Sequence, residues 1–460
     1  MAPVAPVPHQ LMRWTLLAVG LLTVSCGNDV PPPRTAPSLL LVTLDTTRRD
    51  ALGAYSPNSR LTPNIDQLAG EGVVFLEAHT QVPITLVSHT SMLTGLGVLE
   101  HGVRENGTFV VADAVTTLAE VLTKEGYATA AFVSSFVLAE RFGLSQGFGT
   151  YDAEMTGAKK KHWQGHSPGH FERRANDTTD RALAWLDEQR GSSQPFFLWV
   201  HYFDPHAPYN PPEDFRTPGR HPYASEIAFT DSEFGRLWQK VREVEEHLLT
   251  VIATDHGESL GEHGIGGHGQ DLFETALAAG LIFHWPAKLP MGVRVRTGSQ
   301  LKQVAPTVRE LLRLPSDSLS GTSLVPAIDA AVRRSAPHGA SPVDRPNRKP
   351  LYIETLLPGL RGSGRSLRGI ILDRWKLIIP DGDAPPWLFD LKKDPAEIKN
   401  VAQTEPETVA RLRAAFDKLV ETTTANAPAI SVEMGCETFE QLRALGYTAD
   451  GAQPPAGCAD

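Results

Sequence analysis

The stretch LTVIATDHGESLGEHG, residues 249–264, passes without a break from apolar and β-branched residues into acid, imidazole and glycine. Leu249–Asp255 has the composition of a buried strand. Its end delivers Asp255 and His256 to one place, and the glycines beyond let the backbone approach an ion or an oxyanion closely. Two other stretches do the same: Ser38–Asp45 (SLLLVTLD) ends in Asp45, and Phe196–His201 (FFLWVH) leads into Asp204 and His206. Ala128–Ser134 and Ala279–His284 read as further strands. Apolar spacing predicts helices at Pro63–Glu71, Ala114–Glu125, Asn176–Gln189 and Val304–Leu314. This alternation is that of an α/β fold, a sheet covered by helices on both faces. In such sheets the site lies at the carboxyl ends of the strands, where these three segments converge.

Oxygen and nitrogen ligands brought from separate strand ends suit a hard or borderline divalent cation, which makes Asp45, Asp255 and His256 candidate ligands. An aspartate at a strand end also caps turns, so Asp45 is a candidate because of the company it keeps. The same segment continues through His263 to His268, adding imidazoles able to bind metal or move protons.

The 460 residues suffice for one large domain with an appendage, and 43 basic against 53 acidic residues, a net charge of -10, exclude the basic footprint of a nucleic-acid binder. Arg13 followed by the apolar run Trp14–Val24 marks residues 1–26 as an export segment, too short for a comfortable membrane span. Leu22–Cys26 matches a bacterial lipoprotein processing site except at Thr23. The expectation is a periplasmic protein lipid-anchored through Cys26, or one released by plain signal cleavage. Pro-rich residues 27–37 form a tether. Cys436 and Cys458 then remain, and two readings stand: a disulfide closing a terminal loop, or free thiols in a tail. The catalytic domain is expected at 38–328, a linker or loop at 329–349, a small α+β lobe at 350–425 and a tail at 426–460. Within the lobe, Arg368–Pro380 suggests a hairpin turning at Asp373-Arg374, and 404–420 an amphipathic helix. No protein partner is expected.

Several motifs in order resemble the sulfatases and their relatives in the alkaline phosphatase superfamily. DHGESLGEHG resembles the metal-binding loop of bacterial sulfatases, phosphonate monoester hydrolases and phosphoethanolamine transferases. LVTLDTTRRDALGAY (Leu41–Tyr55) resembles the family's first metal-binding strand, Ser88–Gly95 (SHTSMLTG) the helix after the nucleophile, and Trp387–Asn400 its C-terminal hairpin and turn. The likeness implies that family's central mixed sheet sandwiched by helices, with a smaller C-terminal lobe, and metal-dependent hydrolysis of sulfate or phosphate/phosphonate esters.

Aligned with the family's Cys/Ser-x-Pro-Ser-Arg signature, Thr85 stands at the nucleophile, Val87 replaces Pro and His89 replaces Arg. A cysteine or serine there is oxidised to an aldehyde; a threonine, a secondary alcohol, gives only a ketone. Thr85 instead resembles the threonine of nucleotide pyrophosphatases and phosphoethanolamine transferases, a metal ligand and alkoxide nucleophile. The sulfate-contacting Gly-Lys-Trp-His of sulfatases is replaced by Val133-Ser134-Ser135-Phe136, and a second metal is the economical substitute. By the same likeness His206 and His268 complete that second site or face the substrate. Asn106 donates to a non-bridging oxygen or forms a turn. His201 and Asp204 divide between a functional and a packing role, and Arg48 and Arg49 are structural partners near Asp45. Lys159–His170 reads as a solvated loop. The expected cofactor is one or two divalent ions, zinc before calcium, magnesium or manganese. The rival readings are a phosphoryl transferase and a non-catalytic binder of anionic glycans or lipids.

Overall fold

The computed structural model describes residues 1–2, 36–155, 172–335, 349–360, 362, 364–423, 430–444 and 458. Cys26, most of the tether, Lys159–His170 and residues 336–348 of the expected linker lie outside them. No helix among the described residues is long and apolar enough to cross a membrane.

The strand Ser38–Leu44 is buried along its length and pairs in parallel with Phe196–Tyr202 on one side and Leu248–Thr254 on the other. These three form the middle of an eight-stranded sheet, ordered 293–295, 73–75, 281–284, 248–254, 38–44, 196–202, 128–133, 150–152. Leu281–His284 runs antiparallel to both neighbours, so the sheet is mixed. Successive strand residues point to opposite faces. Leu39, Leu41, Phe197, Trp199, Leu249 and Val251 therefore join one core, and Leu40, Val42, Leu198, Val200 and Ile252 the other. Carried past the apolar run, the same alternation puts Asp45, His201 and Asp255 on the first face.

The first face carries Thr85–Thr94, a helix with all ten residues buried. The second is covered by Pro63–Glu71, Ala175–Glu188 and the long Pro222–Val244, through Leu68, Trp185 and Leu237 among others. Pro222–Val244 has no counterpart among the expected helices. Its apolar stripe is broken by buried Glu226, Asp231 and Glu233, and Asp231 caps another helix by accepting from the Asn64 and Ile65 amides at 3.1 and 2.9 Å. The helix expected from Ala114 instead spans Leu118–Lys124, because Thr117 and Glu120 form a capping box.

Two expected boundaries are corrected. The linker expected from 329 begins inside the helix Val325–Ser335, which buries Ile328 and Ala331 beside Leu324; an i, i+4, i+7 apolar spacing outweighed the loop-like composition. The expected tail folds back: Ile430–Ser431 pairs with Phe109–Val110, and Leu442 of the helix Cys436–Ala444 sits where a side chain on Gly107 would have to go. Cys436 and Cys458 are joined in a disulfide.

The C-terminal lobe is a four-stranded antiparallel sheet, Leu351–Thr355, Leu367–Leu372, Trp375–Pro380 and Trp387–Asp390, with the hairpin turning at Asp373-Arg374 and the helix Pro406–Thr422 alongside. It is bolted to the loop after Asp255 by Lys376. That fully buried ammonium donates to the Leu272 carbonyl at 2.9 Å and pairs with Glu274 at 3.0 Å and Glu397 at 2.6 Å. Lys376→Met leaves the buried Glu397 without its cation, which should cost about 3–5 kcal/mol. Chemical denaturation should show that loss; unchanged stability would mean that the lobe is held by its apolar contacts alone.

Candidate metal centre and active site

The ladder that aligns the three middle strands continues one residue beyond them: the Asp45 amide donates to the Tyr202 carbonyl at 2.9 Å and the Asp255 amide to the Leu44 carbonyl at 3.2 Å. Asp45 and Asp255 are thereby held side by side and fully buried. Thr46 between them has a left-handed backbone, φ 47°, sparsely populated for a β-branched residue. Tyr223 holds it by donating to its carbonyl at 2.7 Å, and its amide donates to Asp255 Oδ1 at 3.1 Å. The His256 amide reaches the same oxygen at 2.7 Å. Asp255 Oδ1 is committed to the backbone, while Asp255 Oδ2 and both oxygens of Asp45 have no hydrogen-bond partner.

His256 Nδ1 lies 3.0 Å from the Gly257 carbonyl, an acceptor, so Nδ1 carries the proton and Nε2 the lone pair. Nε2 is 3.4 Å from Asp255 Oδ2, 3.9 Å from Asp45 Oδ1 and 3.4 Å from Thr85 Oγ1. One ligand atom from each of Asp45, Asp255 and His256 falls within 4.8 Å of the others. Gly257 is required for close approach: a Cβ there would stand 2.0 Å from the Thr275 carbonyl. Thr85 is the first residue of its helix, which Ser88 pins to the metal loop by donating to the Asp255 carbonyl at 2.8 Å.

Burial raises the carboxyl pKa of Asp45 well above the ordinary range, opposed by its neighbours Thr85 and Thr46; burial and then the Asp45 charge do the same for Asp255. Burial pushes the His256 imidazole down to about 3. A set of unpartnered oxygens around a neutral imidazole fits a divalent cation, which replaces the lost hydration of both carboxylates.

His206 and His268 lie on the open side of this group. His206 Nδ1 is 2.6 Å from the Ala207 carbonyl and His268 Nδ1 3.1 Å from the Pro83 carbonyl, so both rings are protonated there. Their Nε2 atoms are 3.1 Å apart, two lone pairs facing each other, an arrangement that needs a proton or cation to hold it. The His268 ring is also 4.4 Å, centre to centre, from His256. The lobe supports this side through Thr355, which donates to the Gly269 carbonyl at 2.5 Å.

Asn106 accepts from the Leu86 amide at 2.9 Å, satisfying the start of the Thr85 helix, and its buried Nδ2 has no partner. Asp204 serves the first turn of Ala175–Glu188, accepting from the Ala175 amide at 2.6 Å. His263 is exposed and stacks on Phe273. Arg48 pairs with Asp50 and Glu262, and Arg49 with Glu274 at 3.7 Å. Three further buried side chains join the site: His201, for which a functional and a packing role were both open, and His89 and Glu258, which were not singled out as ligands or acids. His201 Nε2 is 3.3 Å from Asp45 Oδ2, and His89 Nδ1 3.8 Å from Asp255 Oδ2. Glu258 accepts from Tyr209 at 2.8 Å, and burial pushes its pKa up to about 8. His89 was detectable from spacing alone, since it lies four residues after Thr85 on one helix face.

Comparison with known proteins agrees with this architecture. The sulfatase family model matches residues 37–313. Human arylsulfatase D is 23% identical over 88% of this chain and 89% of its own length, and an arylsulfatase of Clostridium perfringens is 23% identical over 80% and 91%. The phosphonate monoester hydrolase of Agrobacterium radiobacter superposes with a TM-score of 0.67 at 22% identity, covering 83% of this chain and 95% of that one. A protein solved with its substrate D-glucosamine-2-N,6-O-disulfate gives 0.68 at 19% identity, covering 85% and 99%.

Saturating zinc should raise the melting temperature of the metal-free protein by mass action. Asp255→Asn keeps an acceptor for the two amides but removes the ligand charge. The metal-free variant should melt no lower than wild type and the zinc-induced rise should disappear; a rise retained in full would remove Asp255 from the ligand set.

Proposed function

Because the chain belongs to the sulfatase family, a family of metal-dependent sulfuric and phosphoric ester hydrolases, we propose that it cleaves phosphate or phosphonate esters with Thr85 as the nucleophile. The observation that carries this reading is the place of Thr85 Oγ1, buried at the start of its helix, 3.4 Å from His256 Nε2 and beside Asp45. A divalent cation held by Asp45, Asp255 and His256 would supply what the hydroxyl lacks, a lowered pKa and neutralisation of the oxygens on the transferred group. Zinc suits the mixed nitrogen and oxygen donors.

Thr85, its proton lost to solvent, attacks phosphorus in line and forms a covalent ester as the alcohol departs. Asn106 Nδ2 donates to a non-bridging oxygen. His206 and His268, their lone pairs converging, would hold a second cation, which would supply neutralisation of the charge on the leaving oxygen. Water then cleaves the Thr85 ester. Sulfate ester hydrolysis is the second reading, favoured by the arylsulfatases among the relatives. Against it stand Thr85, which cannot become an aldehyde, and Val133–Phe136, which offers no lysine or histidine for a sulfate. Transfer to an alcohol acceptor would use the same covalent ester. The export segment and Cys26 support a periplasmic, lipid-anchored protein.

With zinc, manganese or calcium supplied, protein lacking residues 1–26 should hydrolyse aryl phosphate or phosphonate esters. Thr85→Ala should lower the rate by ~10³-fold or more, as loss of a nucleophile does, while Thr85→Ser retains activity. Sulfate hydrolysis that survives Thr85→Ala would sink the nucleophile assignment.

A further inference from the structure

In the Thr85 reading His256 faces Asp45 Oδ1 and Asp255 Oδ2. Deeper in the first face of the sheet stand His89 and His201, both fully buried. His201 enters from the strand Phe196–Tyr202, and its Nε2 approaches Asp45 Oδ2 at 3.3 Å, whereas His256 Nε2 approaches Asp45 Oδ1. His89 enters from the Thr85 helix, its ring 5.0 Å from that of His201, centre to centre. His89 Nδ1 lies 2.8 Å from the Thr85 carbonyl and donates to it, which leaves Nε2 as the lone-pair atom. Neither His89 Nε2 nor either nitrogen of His201 has a hydrogen-bond partner. One ligand atom from each of His89, His201 and Asp255 falls within 4.8 Å of the others, a grouping that shares Asp255 with that of Asp45, Asp255 and His256; His89 Nδ1 is 3.8 Å from Asp255 Oδ2.

Buried imidazoles used for packing normally hydrogen-bond through at least one nitrogen, because a buried polar group left without a partner is destabilising. His201 makes none and faces a carboxylate oxygen that also makes none. We propose that His89, His201, Asp255 Oδ2 and Asp45 Oδ2 form an inner divalent-cation position behind the nucleophile, so that Asp45 and Asp255 are both shared with the outer cation. The donor set, two imidazoles and two carboxylates, suits zinc or another borderline cation, since hard cations such as calcium prefer oxygen alone. This proposal rests on the Thr85 reading for its chemical use. Asp45, Asp255, an ionised Thr85 and an anionic ester carry at least four negative charges, which the two cations of the Thr85 reading would at most balance. A further dication in the inner position would make the centre net positive. The His89 hydrogen bond to the Thr85 carbonyl ties the inner position directly to the nucleophile's backbone.

Crystals of the full catalytic chain grown with zinc and measured at the zinc edge test this directly. An anomalous peak is expected between His89, His201, Asp45 and Asp255 in addition to one at His256. In His201→Gln the inner peak should vanish while the His256 peak stays, and bound zinc measured by mass spectrometry should fall by one equivalent per chain. Should that variant fail to fold, the wild-type map alone decides. A peak at His256 with none between His89 and His201 overturns the inner position and leaves the Thr85 mechanism intact. Both peaks present with undiminished hydrolysis by Thr85→Ala would keep the inner position and overturn the nucleophile instead.

Discussion

Two carboxylates side by side in the dry interior set the terms for the rest of the molecule. At a separation of ~4 Å two like charges repel by about 4 kcal/mol at an effective dielectric of 20, before any cost of dehydration. The backbone nevertheless forces Asp45 and Asp255 together, because the ladder joining their strands continues through the Asp45 and Asp255 amides. Neutralisation has to come from protons or from a cation. The strain at Thr46, held by Tyr223 and by Asp255 itself, marks where the fold accepts a local penalty to keep the two acids in register.

What surrounds the pair holds it rather than reacts. Ser88 ties the helix that begins at Thr85 to the Asp255 carbonyl, and Asn106 satisfies the first turn of that helix. Lys376 anchors the loop that runs from Asp255 towards Glu274, and Glu274 in turn meets His79 and Arg49. Parts of the chain far apart in sequence thus share one task. The C-terminal lobe reaches His268 through Thr355 and Gly269, and the terminal helix reaches Asn106 through Leu442 against Gly107. Precision of this order comes from packed, hydrogen-bonded support around the reacting groups.

The sheet and the candidate ligands at its strand ends were legible in the sequence for a simple reason. Buried parallel strands need unbroken apolar runs, and a polar residue at the end of such a run is conspicuous. Asp45, Asp255 and His256 stand out on that ground, and the strand ends differ from expectation by only a residue or so. Capping and tertiary burial moved other boundaries: the Thr117 box shortened one helix, and the buried acids of Pro222–Val244 disguised another.

Local sequence determined that this chain builds an α/β sheet with acid and imidazole at its carboxyl edge, because strand periodicity and the chemistry of a strand end are properties of neighbouring residues. Which imidazoles face those acids was decided by the tertiary structure alone. His263 lies within the glycine-rich loop yet turns outward onto Phe273, while His89 and His201, on a helix and a strand far apart in the chain, meet beneath the carboxylates. The direction of a side chain depends on the register between strands and the seating of a helix on the sheet, and both are settled only when distant segments pack together.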